Sequence, residues 1–279
     1  MKVKIAKGKK ELFLMDQRFE QEERLDGGNV SIVHKKGNQV YRTQKEESPR
    51  IHKLLNHLES KGLEGVPRFL GIDEKGREIL SYIEGEAADY PLKDYMWSDE
   101  SIKEVAALLR NYHDAVADFA IPKDWKPIDN TPEPIEVICH NDFAVYNVIF
   151  KNKRPVGIID FDLAAPGPKS WDIAYVLYTF VPLSRRYQAE SGEVVYYDPE
   201  RDDLKYKHRI KIFLDAYGWD DRKTNILEVI LLRIEALCLT MKRKAKEGDI
   251  AFQKMIDEGH YDHYLEECQF IKDNGDKWF

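Results

Sequence analysis

The first third of the chain alternates apolar and polar residues in short runs, which is typical of β-strands. Val30–His34 and Gln39–Thr43 flank residues 36–38, a Lys-Gly-Asn sequence with the composition of a hairpin turn. Val66–Ile72 and Arg77–Ile83 are also strand-like, and turn-forming residues lie between them. These runs predict an antiparallel sheet.

One helix is expected between these strands. Apolar residues recur there at the i, i+3, i+4, i+7 spacing of a helix with one buried face: Ile51, Leu54, Leu55 and Leu58. Gly62 follows this run, and glycine often ends a helix. The first 84 residues therefore predict a sheet with a single helix.

Beyond Glu84 the pattern is mainly helical. Ser98 is placed to cap a helix whose apolar stripe contains Ile102, Val105, Leu109, Tyr112, Val116 and Phe119. Further helices are predicted over Ile226–Lys246 and Phe252–Ile271, and a loop-like insert over Pro182–Arg201. Short strands are expected at Val137–Cys139, Val148–Phe150 and Val156–Ile159. Together the two patterns predict an α+β protein.

This change of pattern divides the chain into two expected lobes. Residues 1–84 would form a small, β-rich lobe and residues 85–279 a larger, mostly helical one. A cleft between two such lobes is a common place for a ligand.

Composition and charge narrow the function classes. The 279 residues include 43 Lys or Arg, 50 Asp or Glu and three cysteines, with a formal net charge of −7. The charge disfavours nucleic-acid binding, and no apolar run approaches the roughly 20 residues of a membrane span. The charged N-terminal residues argue against a signal peptide. The few, scattered cysteines fit a reducing cytoplasm. The oligomeric state is not indicated.

The chemically informative segment begins at Val137. A loop between short apolar strands presents Asp142 and, five residues later, Asn147. The following strand ends at Asp160, and a hairpin would bring that end back to the loop. Two carboxylates and an amide gathered in this way can hold Mg²⁺ and leave one carboxylate to accept a proton.

The spacing His140-x-Asp142-x₄-Asn147, with the later Asp160, matches a kinase catalytic loop. With Gly167-x₃-Trp-Asp172 downstream, the sequence resembles the aminoglycoside phosphotransferase and choline kinase-like family of small-molecule kinases. The resemblance implies a bilobal, protein-kinase-like fold, with a small antiparallel-sheet lobe containing one helix and a larger helical lobe. It also implies phosphoryl transfer from ATP or GTP to a hydroxyl of a small molecule, with Mg²⁺.

The resemblance assigns roles to the motif residues. Asp142 would be the catalytic residue that accepts or orients the proton of the acceptor hydroxyl. Asn147 and Asp160 would be the metal ligands that hold Mg²⁺ against the nucleotide phosphates. His140 and Asp172 would support the loop without touching substrate.

The nucleotide side departs from the family pattern. Gly27 and Gly28 precede a strand and could let backbone N–H groups approach phosphate, or simply form a turn. The family usually has a lysine, paired with a helix glutamate, at the position of Arg42. At the expected hinge, the carbonyl group of Ser81 and the N–H group of Ile83 are candidates to pair with the nucleotide base.

The acceptor is not identified by the sequence. Acidic residues near the C-terminus, Glu258, Asp262 and Glu266, fit a cationic acceptor or an ordinary solvated helix face. Choline, ethanolamine, homoserine and sugars are alternatives to aminoglycosides. A catalytically silent, kinase-like protein that binds a nucleotide or a partner is a further alternative, because the usual lysine is missing. A protein kinase is disfavoured because Asp162 replaces the glycine of its Asp-Phe-Gly motif.

Overall fold

The computed structural model describes residues 22–25, 33–220 and 224–279. These residues form two compact units. The first consists of the described residues up to Ser48 together with Pro67–Tyr82. The second consists of Pro49–Val66 and Ile83–Phe279. The expected functional boundary at Glu84 stays a prediction.

The first unit is built on a five-stranded sheet. Its strands are β1 (Glu23–Leu25), β2 (Val33–Lys36), β3 (Gln39–Thr43), β4 (Phe69–Ile72) and β5 (Arg77–Ser81). They are arranged in the order β1-β2-β3-β5-β4, and each neighbouring pair is antiparallel. Lys36 pairs with Gln39, so the turn of the predicted hairpin consists of Gly37 and Asn38. The antiparallel sheet is thus confirmed.

The helix predicted between these strands is α1 (Ser48–Ser60), which after its first residue belongs to the second unit. Its expected apolar face is buried, with each of the four side chains 2% exposed or less. Gly62 follows at a φ of +68°, as expected of a residue that ends a helix. The chain then passes so close to a later strand that a Cβ on Gly157 would lie 2.5 Å from the carbonyl oxygen of Gly65. Glycine is therefore required at position 157.

Short strands carry the informative loop in the second unit. They are β6 (Glu86–Ala87), β7 (Val137–Cys139), β8 (Val148–Lys151), β9 (Arg154–Ile158) and β10 (Ala165–Gly167). Strand β8 lies between β6 and β9, and β7 pairs with β10. The predicted hairpin is therefore present as β8 and β9.

Helices form most of the remainder. They are α2 (Asp99–Ala115), α3 (Lys169–Phe180), α4 (Pro199–Tyr217), α5 (Ile226–Lys246), α6 (Ile250–Asp257) and α7 (His260–Asn274). Ser98 caps α2 by accepting a hydrogen bond from the backbone N–H of Ser101, as predicted. None of the helices in the described ranges combines the length and apolar character needed to cross a bilayer.

Two element predictions were wrong. The segment expected to be a loop-like insert contains the hairpin β11 (Arg186–Gln188) and β12 (Val194–Tyr196), and α4 begins at Pro199. The helix expected over Phe252–Ile271 is two helices, because Gly259 adopts a left-handed φ of +83° between them. The apolar periodicity of residues 252–271 continues across Gly259, so the sequence pattern did not reveal the break between the two helices.

Candidate functional site

The loop after β7 brings the predicted catalytic residue into a fixed position. Asn141 adopts a left-handed φ of 63°, and the chain then enters a 3₁₀ turn at Val145–Asn147. The side-chain amide of Asn147 donates to the backbone carbonyl of Asp142 at 2.9 Å and to its Oδ2 at 2.8 Å. The predicted base and the predicted metal ligand are therefore in direct contact.

The carboxyl of Asp142 has a second donor on its other oxygen. The hydroxyl of Tyr146 donates to Oδ1 at 2.8 Å. Desolvation, together with the nearby negative charge of Asp160, raises the pKa of Asp142 to about 7, although Tyr146, Arg233 and Asn147 oppose the shift. A carboxyl with a pKa near neutral is well matched to general-base catalysis.

His140 is hydrogen-bonded to backbone groups on two segments of the site. Its Nδ1 accepts a hydrogen bond from the backbone N–H of Asp142 at 3.2 Å, so this nitrogen carries no proton. Its Nε2 therefore donates to the carbonyl oxygen of Ile159, 3.1 Å away. Burial lowers the pKa of His140 to about 4, which keeps the ring neutral at pH 7. The neutral ring thus connects Asp142 to the residue that precedes Asp160.

Asp172, in the first turn of α3, fixes the start of the loop. Its Oδ2 accepts from the backbone N–H of His140 at 2.8 Å, and its Oδ1 accepts from that of Asn141 at 2.7 Å. The Nε2 of His113 also donates to Oδ2, at 3.0 Å. Burial alone would raise the pKa of Asp172, but the hydrogen bonds from His113 and His140 outweigh it and lower the pKa. Asp172 is therefore a fully buried, ionised anchor.

The two predicted metal ligands lie on paired segments of backbone. The N–H of Ile159, next to Asp160, donates to the carbonyl oxygen of Asn147 at 2.9 Å. Asp160 is exposed and has a left-handed φ of 64°. An amide oxygen and a carboxylate are hard ligands that Mg²⁺ accepts together with phosphate oxygens.

Across the described ranges, no three His, Cys, Asp or Glu side chains are grouped so that they could hold a metal ion. The role of Asn147 and Asp160 as metal ligands stays a prediction.

Arg42 is found in an ion pair within the first unit. Its Nε donates to Oε1 of Glu78 at 2.5 Å, and the two residues are direct partners across β3 and β5. Glu78 is 1% exposed. The observed partner of Arg42 is therefore a glutamate on a neighbouring strand, whereas the resemblance implied one on a helix.

The other candidate residues for nucleotide binding lie in different parts of the chain. Ser81 ends β5, its backbone N–H donates to the carbonyl of Arg68, and its hydroxyl accepts from the N–H of Arg68. Ile83 follows outside regular structure, at the start of the second unit. Gly27 and Gly28 lie outside the described residues. A role for these positions in nucleotide binding stays a prediction.

The acidic candidates near the C-terminus are partly neutralised. Glu266 pairs with Arg185, which also donates to the buried Glu267. Glu258 lies 3.6 Å from the ammonium of Lys254. Asp262 lies in the first turn of α7. Their contribution to acceptor binding stays a prediction.

Three residues of the site were missed by the sequence reasoning. Tyr146 contacts Asp142 directly, and His113 contacts Asp172. Arg233, on α5, is buried, donates to the carbonyl oxygen of Asn141 and stacks on the ring of Tyr175 at 4.5 Å. For Arg233 and His113 a signal existed, because both are polar residues within the apolar face of a predicted helix.

The segment that contains this site also matches a known protein family. A sequence profile described as "Phosphotransferase enzyme family" matches residues 120–204, which contain the loop, both metal-ligand candidates and Asp172. The trifolitoxin immunity protein of Rhizobium leguminosarum bv. trifolii is 32% identical over 201 residues, covering 70% of this chain and 73% of that protein.

Solved structures resemble the chain over most of its length. The streptomycin–ATP ternary complex of APH(2″)-IIa has a TM-score of 0.54 at 16% identity and covers 86% of this chain and 90% of its own. Choline kinase from Cryptosporidium parvum Iowa II has a TM-score of 0.57 at 12% identity, with coverages of 95% and 97%. At these identities the likeness concerns the fold, and it confirms the predicted protein-kinase-like class. Together with the sequence match to a relative above 30% identity, it leads to one conclusion: the chain belongs to the phosphotransferase enzyme family.

Proposed function

We propose that this phosphotransferase moves the γ-phosphoryl group of ATP or GTP, with Mg²⁺, to a hydroxyl of a small molecule. The observation that carries the proposal is the contact between Asp142, with a pKa of about 7, and Asn147, whose backbone pairs with the segment leading to Asp160. A base next to a pair of oxygen ligands is the arrangement that phosphoryl transfer to an alcohol requires.

In this mechanism Asp142 accepts the proton of the acceptor hydroxyl as the oxygen attacks phosphorus. Asn147 and Asp160 would hold Mg²⁺, which when bound neutralises charge on the phosphate oxygens. His140 and Asp172 hold the loop backbone, so that the carboxyl of Asp142 is in place before the acceptor arrives. The ATP complex of a protein with the same fold supports a nucleoside triphosphate as donor.

A second candidate is a kinase-like protein that binds a nucleotide or a partner without transferring phosphate. Two observations support this second candidate. Arg42 is engaged with Glu78 and stands where the family has a lysine. The name of the 32% identical relative, an immunity protein, refers to protection rather than to a reaction.

The test begins with nucleotide binding, measured as the rise in melting temperature with ATP or GTP in the presence and absence of Mg²⁺. Asp160→Asn should lose the Mg²⁺-dependent part, because asparagine tolerates the left-handed backbone but removes the charge. Asp142→Asn should keep it. Asp124→Asn, at an exposed carboxyl outside the loop sequence, is the matched control.

Transfer is then measured as release of nucleoside diphosphate with aminoglycosides, amino alcohols and sugars. We expect at least one acceptor to stimulate release, and Asp142→Asn to lower the stimulated rate by about 10²–10⁴-fold. Binding without stimulation by any acceptor would favour the second candidate. No binding of either nucleotide would contradict both.

A further inference from the structure

The hydroxyl of Tyr146 occupies the place at Asp142 where an acceptor hydroxyl is needed. It donates to Oδ1 of Asp142 at 2.8 Å from a position four residues later in the same loop. General-base catalysis requires a heavy-atom separation of about 2.6–3.2 Å between the base and the group whose proton it removes. In the described part of the chain, the hydroxyl hydrogen-bonded to this carboxyl is that of Tyr146.

The surroundings of Tyr146 suit an acceptor. The residue is 38% exposed, and the hydroxyl of Tyr175 lies 3.2 Å from its own. A tyrosine phenol is neutral at pH 7, as the alcohol of any O-kinase acceptor is, and needs a base in contact with it.

The next residue connects Tyr146 to the phosphate-binding side. Asn147 contacts the second oxygen of the Asp142 carboxyl, and its backbone carbonyl accepts from Ile159, next to Asp160. If the proposed function holds, the γ-phosphoryl group reacts beside Asp142. It must then lie close to whichever hydroxyl that carboxyl holds.

We propose that Tyr146 is itself a phosphoryl acceptor, so that the protein phosphorylates its own catalytic loop when no small-molecule acceptor is bound. The proposal rests on the proposed function. The phenolic oxygen forms a bond to the γ-phosphorus of the nucleoside triphosphate, and the bond from that phosphorus to the β,γ-bridging oxygen breaks. The phenolic proton passes to Asp142, and a nucleoside diphosphate leaves.

The modified loop would not transfer phosphate again. A phosphate ester on Tyr146 adds about −1.5 to −2 charge beside Asp142 and fills the position of an incoming hydroxyl. Self-phosphorylation is therefore a single event for each molecule, and a bound acceptor competes with it for the same base.

The experiment is intact-mass measurement of the purified full chain after incubation with Mg²⁺ and ATP or GTP, without added acceptor. We expect one gain of about 80 Da, the mass of a phosphoryl group. It should map to the tryptic peptide 124–151, where Tyr146 is the single tyrosine and Thr131 the one other hydroxyl side chain. The modification should appear at a rate independent of protein concentration, because base and acceptor are in one loop.

Two variants should lose the gain in mass almost completely. Tyr146→Phe removes the hydroxyl and keeps the ring, and Asp142→Asn removes the base. Tyr196→Phe is the matched control, because Tyr196 is 65% exposed and would be modified first if exposure alone decided. It should be labelled like the unchanged protein.

Release of nucleoside diphosphate, recorded in parallel, separates the possible failures. Release without a gain in mass overturns self-phosphorylation and leaves the proposed function standing. Labelling of Thr131 or of another peptide, labelling retained in Tyr146→Phe, or a rate that rises with protein concentration also overturns it. Absence of nucleotide binding by thermal shift removes the proposed function, and self-phosphorylation with it.

Discussion

The catalytic segment of the second unit and the sheet of the first unit hold their polar residues by different means. Between Val137 and Asp172, the carboxyl of Asp172 and the ring of His140 are each fixed by hydrogen bonds to backbone groups. In the first unit, Arg42 is fixed by the side chain of Glu78, its direct partner across two strands. The residues of one ordered motif can be recognised in a sequence, whereas a side-chain pair created by strand register cannot.

The substitution with the largest expected effect on stability is at Asp172. Asp172→Asn should lower the free energy of unfolding by about 3 kcal/mol or more, because an amide cannot accept from His113, His140 and Asn141 at once and lacks the buried charge. Urea unfolding measures the loss. The control is Glu136→Gln, whose exposed carboxyl also accepts a backbone N–H at the start of α3. Equal losses would mean that Asp172 is an ordinary cap.

The next effect is a pH dependence caused by His140. Its pKa is about 4 in the folded protein against 6.5 in an unfolded chain, so between these values the unfolded state binds more protons. The free energy of unfolding therefore rises with pH. Lowering the pH from 7 to 5 should reduce it by about 2 kcal/mol through this group. Urea unfolding at both pH values checks the sign, and His140→Gln should reduce the dependence. An unchanged pH dependence of stability in that variant would contradict the assignment of a neutral, buried ring to His140.

In the first unit, Arg42 provides a smaller test. If its guanidinium contacts phosphate, Arg42→Ala should raise the Kd for Mg²⁺-nucleotide about tenfold, the effect of one charge-assisted hydrogen bond. Arg77→Ala, in the same sheet and paired with Asp73, is the matched control. An equal Kd in the two variants would assign Arg42 to the stability of the sheet. Unfolding measured on both variants separates the two roles.

The smallest effect is expected at Glu266. Its exposed pair with Arg185 should contribute less than about 1 kcal/mol to stability, so Glu266→Gln should unfold almost as the unchanged protein does. Glu267→Gln should be clearly worse, because this buried carboxyl accepts the backbone N–H of Arg185. A similar loss in both would show that the exposed and buried contacts are equivalent. The KM of a cationic acceptor, measured on Glu266→Gln, tests its predicted role in binding.

Much of the fold could be predicted because its signals are local. Strand β7 and helix α5 begin and end at the predicted residues. Strands β8 and β9 form the hairpin that was predicted before Asp160. The hairpin of β11 and β12 was missed; its three-residue strands are mostly exposed, whereas the equally short β7 is a fully buried apolar run.

The site was predictable to the same extent and for the same reason. Asp142 and Asn147 are five residues apart in one loop, and a motif describes them completely. Arg233 reaches Asn141 from a helix 92 residues later, so only the packing of α5 reveals it. Tyr146 lies inside the motif but at a position where the motif specifies no residue type.

The position of α1 has a practical consequence for dissecting the protein. His57 lies 3.0 Å from the carbonyl oxygen of Ala115, Lys61 pairs with Asp118, and the N–H of Ile158 donates to Gly65 just after the helix. A truncated fragment ending at Glu84 would carry this helix without those partners, so the helix would lose its hydrogen bonds and ion pair to the rest of the second unit. Such a fragment should fold poorly on expression. A soluble piece of the sheet is better sought by replacing residues 49–66 with a short flexible linker.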